Sequence, residues 1–118
     1  MGITPLFGEQ KMPRMMQVVE GNAGPTTRVA LTDTAAVLAD AIIVSGNRKA
    51  MRLTISVESN PMRFALGGVT PTQGAVGIGH KLDDGDILEM ENQENIEGAL
   101  FINETSGSTS VIQVTAEF

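Results

Sequence analysis

Apolar and polar residues alternate with a period of two through much of the second half of the chain. Met51, Leu53, Ile55 and Val57 interleave with Arg52, Thr54, Ser56 and Glu58. Successive side chains of a strand point to opposite faces, so this run predicts a half-buried strand. Ser59, Asn60 and Pro61 turn the chain, and Met62, Phe64 and Leu66 resume the alternation with Arg63 on the outer face. Further strands are predicted over residues 76–82, 87–91, 100–102 and 110–118. Between them lie turn signals, chiefly residues 83–86, whose Gly85 can take positive φ, and residues 105–108. Residues 92–95 read as a polar loop.

The first half is less regular. Residues 27–31 make a short strand candidate, and residues 45–48 a turn. Between them, Asp33 can cap a helix through the alanines that follow, whereas Ile42, Ile43 and Val44 favour a strand. Strand or irregular structure is the expectation, because so short an apolar run has no decisive period. About eight short strands at regular spacing predict an all-β fold, a single β-sandwich of jelly-roll type over residues 26–118. Period alone does not separate it from an immunoglobulin-like sandwich. The expected core is Leu53, Ile55, Val57, Phe64, Leu66, Ile78, Leu82, Ile87, Leu88, Leu100, Ile102, Ile112 and Val114.

Residues 1–25 break the pattern. Pro5, Pro13 and Pro25 prevent a regular helix and interrupt sheet ladders. Yet Leu6, Phe7, Met12, Met15, Met16, Val18 and Val19 are too apolar for a free linker. An extended N-terminal arm that packs on a neighbour or on its own domain is expected, with Leu6, Phe7, Met15 and Met16 as the residues that would reach a neighbour. Methionine suits such a surface because its flexible side chain adapts to irregular partners.

The composition lowers the prospect of chemistry. The 118 residues contain no cysteine, tryptophan or tyrosine, and one histidine. Disulfides and thiolate metal sites are excluded. No run approaches the roughly 20 apolar residues of a membrane span, and no secretory leader is expected. His80 has neither a second histidine nor a cysteine to share a metal, and no nucleophile elbow accompanies it. Asp83, Asp84, Asp86 and Glu89 are oxygen-rich, but their spacing departs from the EF-hand loop and suits an acidic hairpin tip. Glu89, Glu91, Glu94 and Glu97 offer carboxylate pairs without the aromatic platforms that sugar sites use. Gly74, Gly77 and Gly79 resemble a phosphate loop superficially, yet no Lys-Ser/Thr pair or helix follows. They suit a strand bulge or a close backbone contact. No enzyme activity, cofactor or metal is expected.

Charge is uneven along the chain. Residues 1–63 hold seven basic and five acidic side chains, a net of +2, while residues 64–118 hold one basic and nine acidic, a net of −8. Phosphates would be repelled by the acidic half, so nucleic acid is not an expected partner. Arg48, Lys49, Arg52 and Arg63 form the basic cluster and are the candidates for docking an acidic partner surface.

Several segments carry a family resemblance. They are residues 57–64 (Val-Glu-Ser-Asn-Pro-Met-Arg-Phe), 67–72 (Gly-Gly-Val-Thr-Pro-Thr), 79–82 (Gly-His-Lys-Leu), 85–88 (Gly-Asp-Ile-Leu) and 106–109 (Ser-Gly-Ser-Thr), followed by a strand of alternating Val, Gln and Thr. Over residues 50–118 the chain resembles the small β-sandwich structural proteins of tailed bacteriophages, which include capsid decoration or cementing proteins. The resemblance implies a place on the capsid surface of a virion assembled in the host cytoplasm. It also implies the major capsid protein as partner, and a homo-oligomer, with a trimer favoured. The alternatives of other classes are a receptor- or glycan-binding module on a tail or fibre, and a small enzyme of cupin-like architecture, which would need a bound metal that a single histidine disfavours.

Overall fold

The computed structural model describes residues 22–118. Along them run β1 (Thr27–Leu31), α1 (Asp40–Ile43), β2 (Val44–Ser45), β3 (Arg48–Lys49), β4 (Arg52–Ser59), β5 (Met62–Ala65), β6 (His80–Leu82), β7 (Ile87–Met90), α2 (Gln93–Gly98), β8 (Leu100–Asn103) and β9 (Ser110–Glu117). The fold is mostly β, and every strand pairing among these residues is antiparallel.

The two long strands, β4 and β9, form the middle of a four-stranded sheet ordered β1-β9-β4-β7. Their register sets Leu53 opposite Ala116, Ile55 opposite Val114 and Val57 opposite Ile112. All six are buried, and the intervening Thr54–Thr115 and Ser56–Gln113 pairs face outward. The period-two pattern of the sequence is thus cashed in face by face. Each fully buried Leu or Ile contributes about 1.5–3 kcal/mol relative to an exposed one. The register slips once, between Val57 and Ser59, where the strand bends toward the second sheet. Asn60 follows at φ 64, and β5 begins in the other sheet.

That second sheet is ordered β6-β5-β8, with Ala36 bridged to Phe101 at the far side of β8. Met62, Phe64 and Phe101 from it pack on Leu53, Ile55, Ile112 and Val114 from the first sheet, so both sheets share one apolar core. A short β2–β3 hairpin turns at Gly46 before β4. The pairings are nested: β1 with β9, Ala36 with β8, β4 with β7, and β5 with β6. Apart from the β2–β3 hairpin, the nested pairs thus form one long hairpin that folds back at residues 66–79.

Several sequence expectations change. The strand expected over residues 76–82 is present only at His80–Leu82, because the preceding backbone is engaged elsewhere. Ile78 is consequently 53 % exposed and not in the core. Ile87 is 66 % exposed: on β7, Leu88 and Met90 take the inward phase, and adjacent strand residues cannot share a face. Met51 lies outside β4 and is exposed. Leu66, Leu82, Leu88 and Leu100 are half-buried. The polar stretch after β7 becomes a helix, α2, since the Asn92 side chain accepts hydrogen bonds from the Glu94 and Asn95 N–H groups at 2.9 and 3.2 Å. The helix then buries Ile96. One turn of helix, α1, occupies part of the ambiguous segment and buries Ile43. Residues 22–24, assigned to the arm, lie along the end of β9, with Asn22 and Phe118 exchanging backbone hydrogen bonds at 3.1 and 2.9 Å.

The packing predicts a contrast between two isoleucine or leucine sites that look alike in sequence. Leu53→Ala should lower unfolding free energy by about 3 kcal/mol, and Ile87→Ala should change it by no more than about 0.5 kcal/mol. Urea denaturation of both variants reads the difference.

Candidate interaction surface

In the longest connection of the described fold, residues 66–79, one side chain of the second sheet gathers several loop carbonyls. Arg63 projects outward from β5, between the inward Met62 and Phe64. Its Nε donates to Glu104 Oε1 at 2.5 Å and its Nη2 to Glu104 Oε2 at 3.3 Å. The same guanidinium donates to the carbonyls of Gly74 at 3.1 Å, Gly79 at 3.0 Å and Gly77 at 3.4 Å. Both charged side chains are only 11 % exposed. A planar fork of five donors can bind a carboxylate and several carbonyls at once, which lysine cannot.

The loop closes tightly over this ion pair. Thr72 N–H donates to the Ile78 carbonyl at 3.0 Å, and Ile78 N–H to Thr72 Oγ1 at 2.8 Å. A side chain at Gly77 would collide with the Thr72 carbonyl and come within 2.9 Å of Arg63 Nε. Gly79 sits at φ 115, and a Cβ there would lie 2.8 Å from the Phe64 carbonyl. These two glycines serve close backbone approach, one of the two roles that their spacing suggested.

A second polar cluster fixes the loop from the side. Asn103, 2 % exposed at the end of β8, donates to Asp33 Oδ1 at 2.8 Å and to the Ser108 carbonyl at 2.6 Å, and it accepts from Gln73. Asp33 also accepts from the Gln73 amide at 3.1 Å and from Gly107 N–H at 3.0 Å. The Asn103 amide, then the Gly107 N–H and the Gln73 amide, hold the Asp33 carboxyl below the usual carboxylate range. The Arg63 guanidinium does the same for Glu104. Asp33 is therefore a bracket between three loops, not the cap of a helix.

Pinned in this way, the loop displays apolar side chains to solvent. Val76 is 94 % exposed, and Val69 and Ile78 are also open. Val69 and Ile78 border a hollow with Leu66 and His80. Leu66 and His80 also line a larger open cleft of 640 Å³ between β6 and β7. Phe64, Leu82, Leu88 and Met90 line its apolar part, with Glu89, Glu91 and Lys81 also bordering it. Val69 and Ile78 thus adjoin the cleft through Leu66 and His80, and contiguous exposed apolar surface marks interaction sites.

The basic residues singled out from sequence do not form one patch. Arg48 and Lys49 lie on β3, and Arg52 begins β4. Lys49 pairs with Glu97 at 3.2 Å and Arg52 with Glu117 at 3.6 Å. Arg63 stands apart from them, its donors turned to Glu104 and the loop carbonyls. Leu6, Phe7, Met15 and Met16 lie outside the described residues. His80 is on the edge strand β6, its ring 5.2 Å from that of Phe64. In the acidic turn, Asp86 accepts from the Asp83 N–H at 2.8 Å, and Lys81 lies 3.8 Å from Asp83. Among the described residues no three His, Cys, Asp or Glu side chains converge as metal ligands.

Comparison with protein-family models, curated proteins and solved structures finds no match for this chain.

The lowered carboxyls make stability acid-sensitive. A folded pKa below the unfolded one contributes stability above the unfolded value, and that contribution is lost as pH falls through the folded one. Unfolding free energy should therefore fall as pH drops below the ordinary values of 4.5 for Glu104 and 3.8 for Asp33. Glu104→Gln should cost about 3 kcal/mol at pH 7, because it leaves the Arg63 charge poorly compensated. Its denaturation midpoint should then decline less steeply with acid than that of the parent chain.

Proposed function

We propose that this chain is a bacteriophage virion structural protein that binds the outer capsid surface and stabilises the head as a decoration or cementing protein. The observation that carries the reading is the display of Val69, Val76 and Ile78 on a loop held stiff by a partly buried ion pair. A pinned apolar surface loses little conformational freedom on docking, so more of its burial appears as affinity. Its partner would be the major capsid protein, and its location the virion surface. A homotrimer is the assembly proposed. Arg48, Lys49 and Arg52 would meet acidic groups at the rim of the contact, while Arg63 acts by shaping the loop.

The finer fold assignment is a jelly roll. It is supported by the order β1-β9-β4-β7 in one sheet and Ala36-β8-β5-β6 in the other. Taking Ala36 as a reduced second strand and β2–β3 as an insertion, the eight strands pair first with last, second with seventh, third with sixth and fourth with fifth. Such nested hairpins give the two Greek keys of that architecture.

Stabilisation would be passive. A ligand that binds the assembled shell and not its free subunits shifts the balance toward assembly by mass action. The arm, through Leu6, Phe7, Met15 and Met16, would reach a neighbouring subunit. Quantitative mass spectrometry of density-purified particles tests the role. Hundreds of copies in a fixed ratio to the shell subunit are expected; a few dozen or fewer would move the chain to the neck or tail, and absence would refute the virion assignment. Val76→Asp with Ile78→Asp should lower retention on particles at least about ten-fold, the effect of 1.4 kcal/mol, with unchanged folding by circular dichroism.

A further inference from the structure

We propose that the β6–β7 cleft is the docking site for residues 11–19 of a second copy of this chain. The proposal rests on the arm's role given above and names where the arm goes. Three observations carry it.

The first is the shape and chemistry of the cleft. Among the described residues, β6 and β7 each have a sheet neighbour on one side only. Two open strand edges thus lie side by side, with backbone groups available to an added strand. Leu66, Leu82 and Leu88 line the space between them, and Glu89 and Glu91 border it. Lys81, the basic group there, already faces Asp83 at 3.8 Å.

The second is charge complementarity. Residues 11–19 read Lys-Met-Pro-Arg-Met-Met-Gln-Val-Val. Lys11 and Arg14 are the basic residues of the first 21, and they are interleaved with Met12, Met15 and Met16. An apolar strip carrying two cations matches an apolar groove with two carboxylates at its border. Pro13 lacks an N–H, which is tolerated in a strand added at an edge.

The third is geometry. The described chain starts at Asn22, which pairs with Phe118 on the β1 side of β9. The cleft lies at the opposite edge of the same sheet, beyond β7. An arm leaving one edge and a receiving groove on the other make a head-to-tail contact, which closes into a ring when the rotation permits. A cyclic trimer is the assembly this would complete.

The test uses the full-length protein in solution, away from any capsid, so that its failure is separate from failure of the capsid role. Lys11→Glu with Arg14→Glu, and separately Glu89→Lys with Glu91→Lys, should each weaken self-association at least ten-fold by analytical ultracentrifugation. The chain carrying all four substitutions should recover most of that loss. Since the protein has no cysteine, a mixture of Met15→Cys and Asn95→Cys chains should form a disulfide-linked dimer faster than Met15→Cys mixed with Asp40→Cys. A parent chain that stays monomeric, charge reversals without effect or rescue, or a Met15→Cys/Asn95→Cys chain that closes within a monomer would each overturn the proposal.

Discussion

The constraint on which the rest of the structure depends is the fold-back of the long nested hairpin at residues 66–79. Once β5 and β6 are joined across that reversal, the remaining pairs fall into nested order outward to β1 and β9, whose contacts include Thr27 with Val114. Such pairing is dominated by residues far apart in sequence, so loop-closure entropy must be spent before the contacts repay it. The site of reversal is also where the least exposed ion pair among the described residues lies. Arg63 sits on the last strand before the reversal and Glu104 just after β8, and the guanidinium gathers three loop carbonyls as well. The longest loop of the described fold is thereby given a backbone hydrogen-bond scheme that a free loop would have to find in water.

The same nesting redistributes the charge asymmetry of the sequence. Basic residues of the first half are set against acidic residues of the second: Arg52 beside Glu117, Lys49 beside Glu97 and Arg63 beside Glu104. The first two pairs are exposed enough to be worth little in stability. The third is not, because its partners are shielded and a lone survivor would be costly. Among the described residues, acidic groups without such counterparts lie at Asp84 in the turn before β7, at Glu89 on β7, at Glu91 after it and at Glu94 on α2. The acidic half of the chain is therefore not an acidic half of the molecule. Part of its excess, Glu89 and Glu91, borders one cleft, where it favours a cationic occupant.

Much of the sheet was legible in the alternation of apolar and polar residues. Leu53, Ile55 and Val57, and later Ile112 and Val114, are buried in the phase that their spacing implies. Adjacent apolar residues were less legible: Ile87 and Leu88 cannot both face inward, and only the pairing of Leu88 with Ile55 decides between them. The helix after β7 had a local signal in Asn92, whose side chain caps it, but the polar residues around Ile96 masked it. Of the loop, the spacing of Gly77 and Gly79 suggested a close backbone contact, but the side chains that pin it and the display it makes were not legible. Arg63 and Glu104 are 41 positions apart, and Asp33 and Asn103 are 70 apart. No local pattern links them, so Arg63 reads from sequence as an outward charge available to an acidic partner, and Val76 and Ile78 as strand residues.

Exposed valine and isoleucine carry opposite consequences in a soft loop and a stiff one. In a soft loop Val76 and Ile78 could fold back on the domain and cover themselves. Here the Thr72–Ile78 hydrogen bonds and the crowding at Gly77 deny the backbone that freedom. Their apolar area stays in water at about 25 cal/mol per Å² until another surface removes it. The ion pair that builds the loop thus also prevents the domain from satisfying its own surface. A fold that spends a partly buried arginine to keep a valine exposed has a structural reason to find a partner, and on the proposed role that partner is the shell.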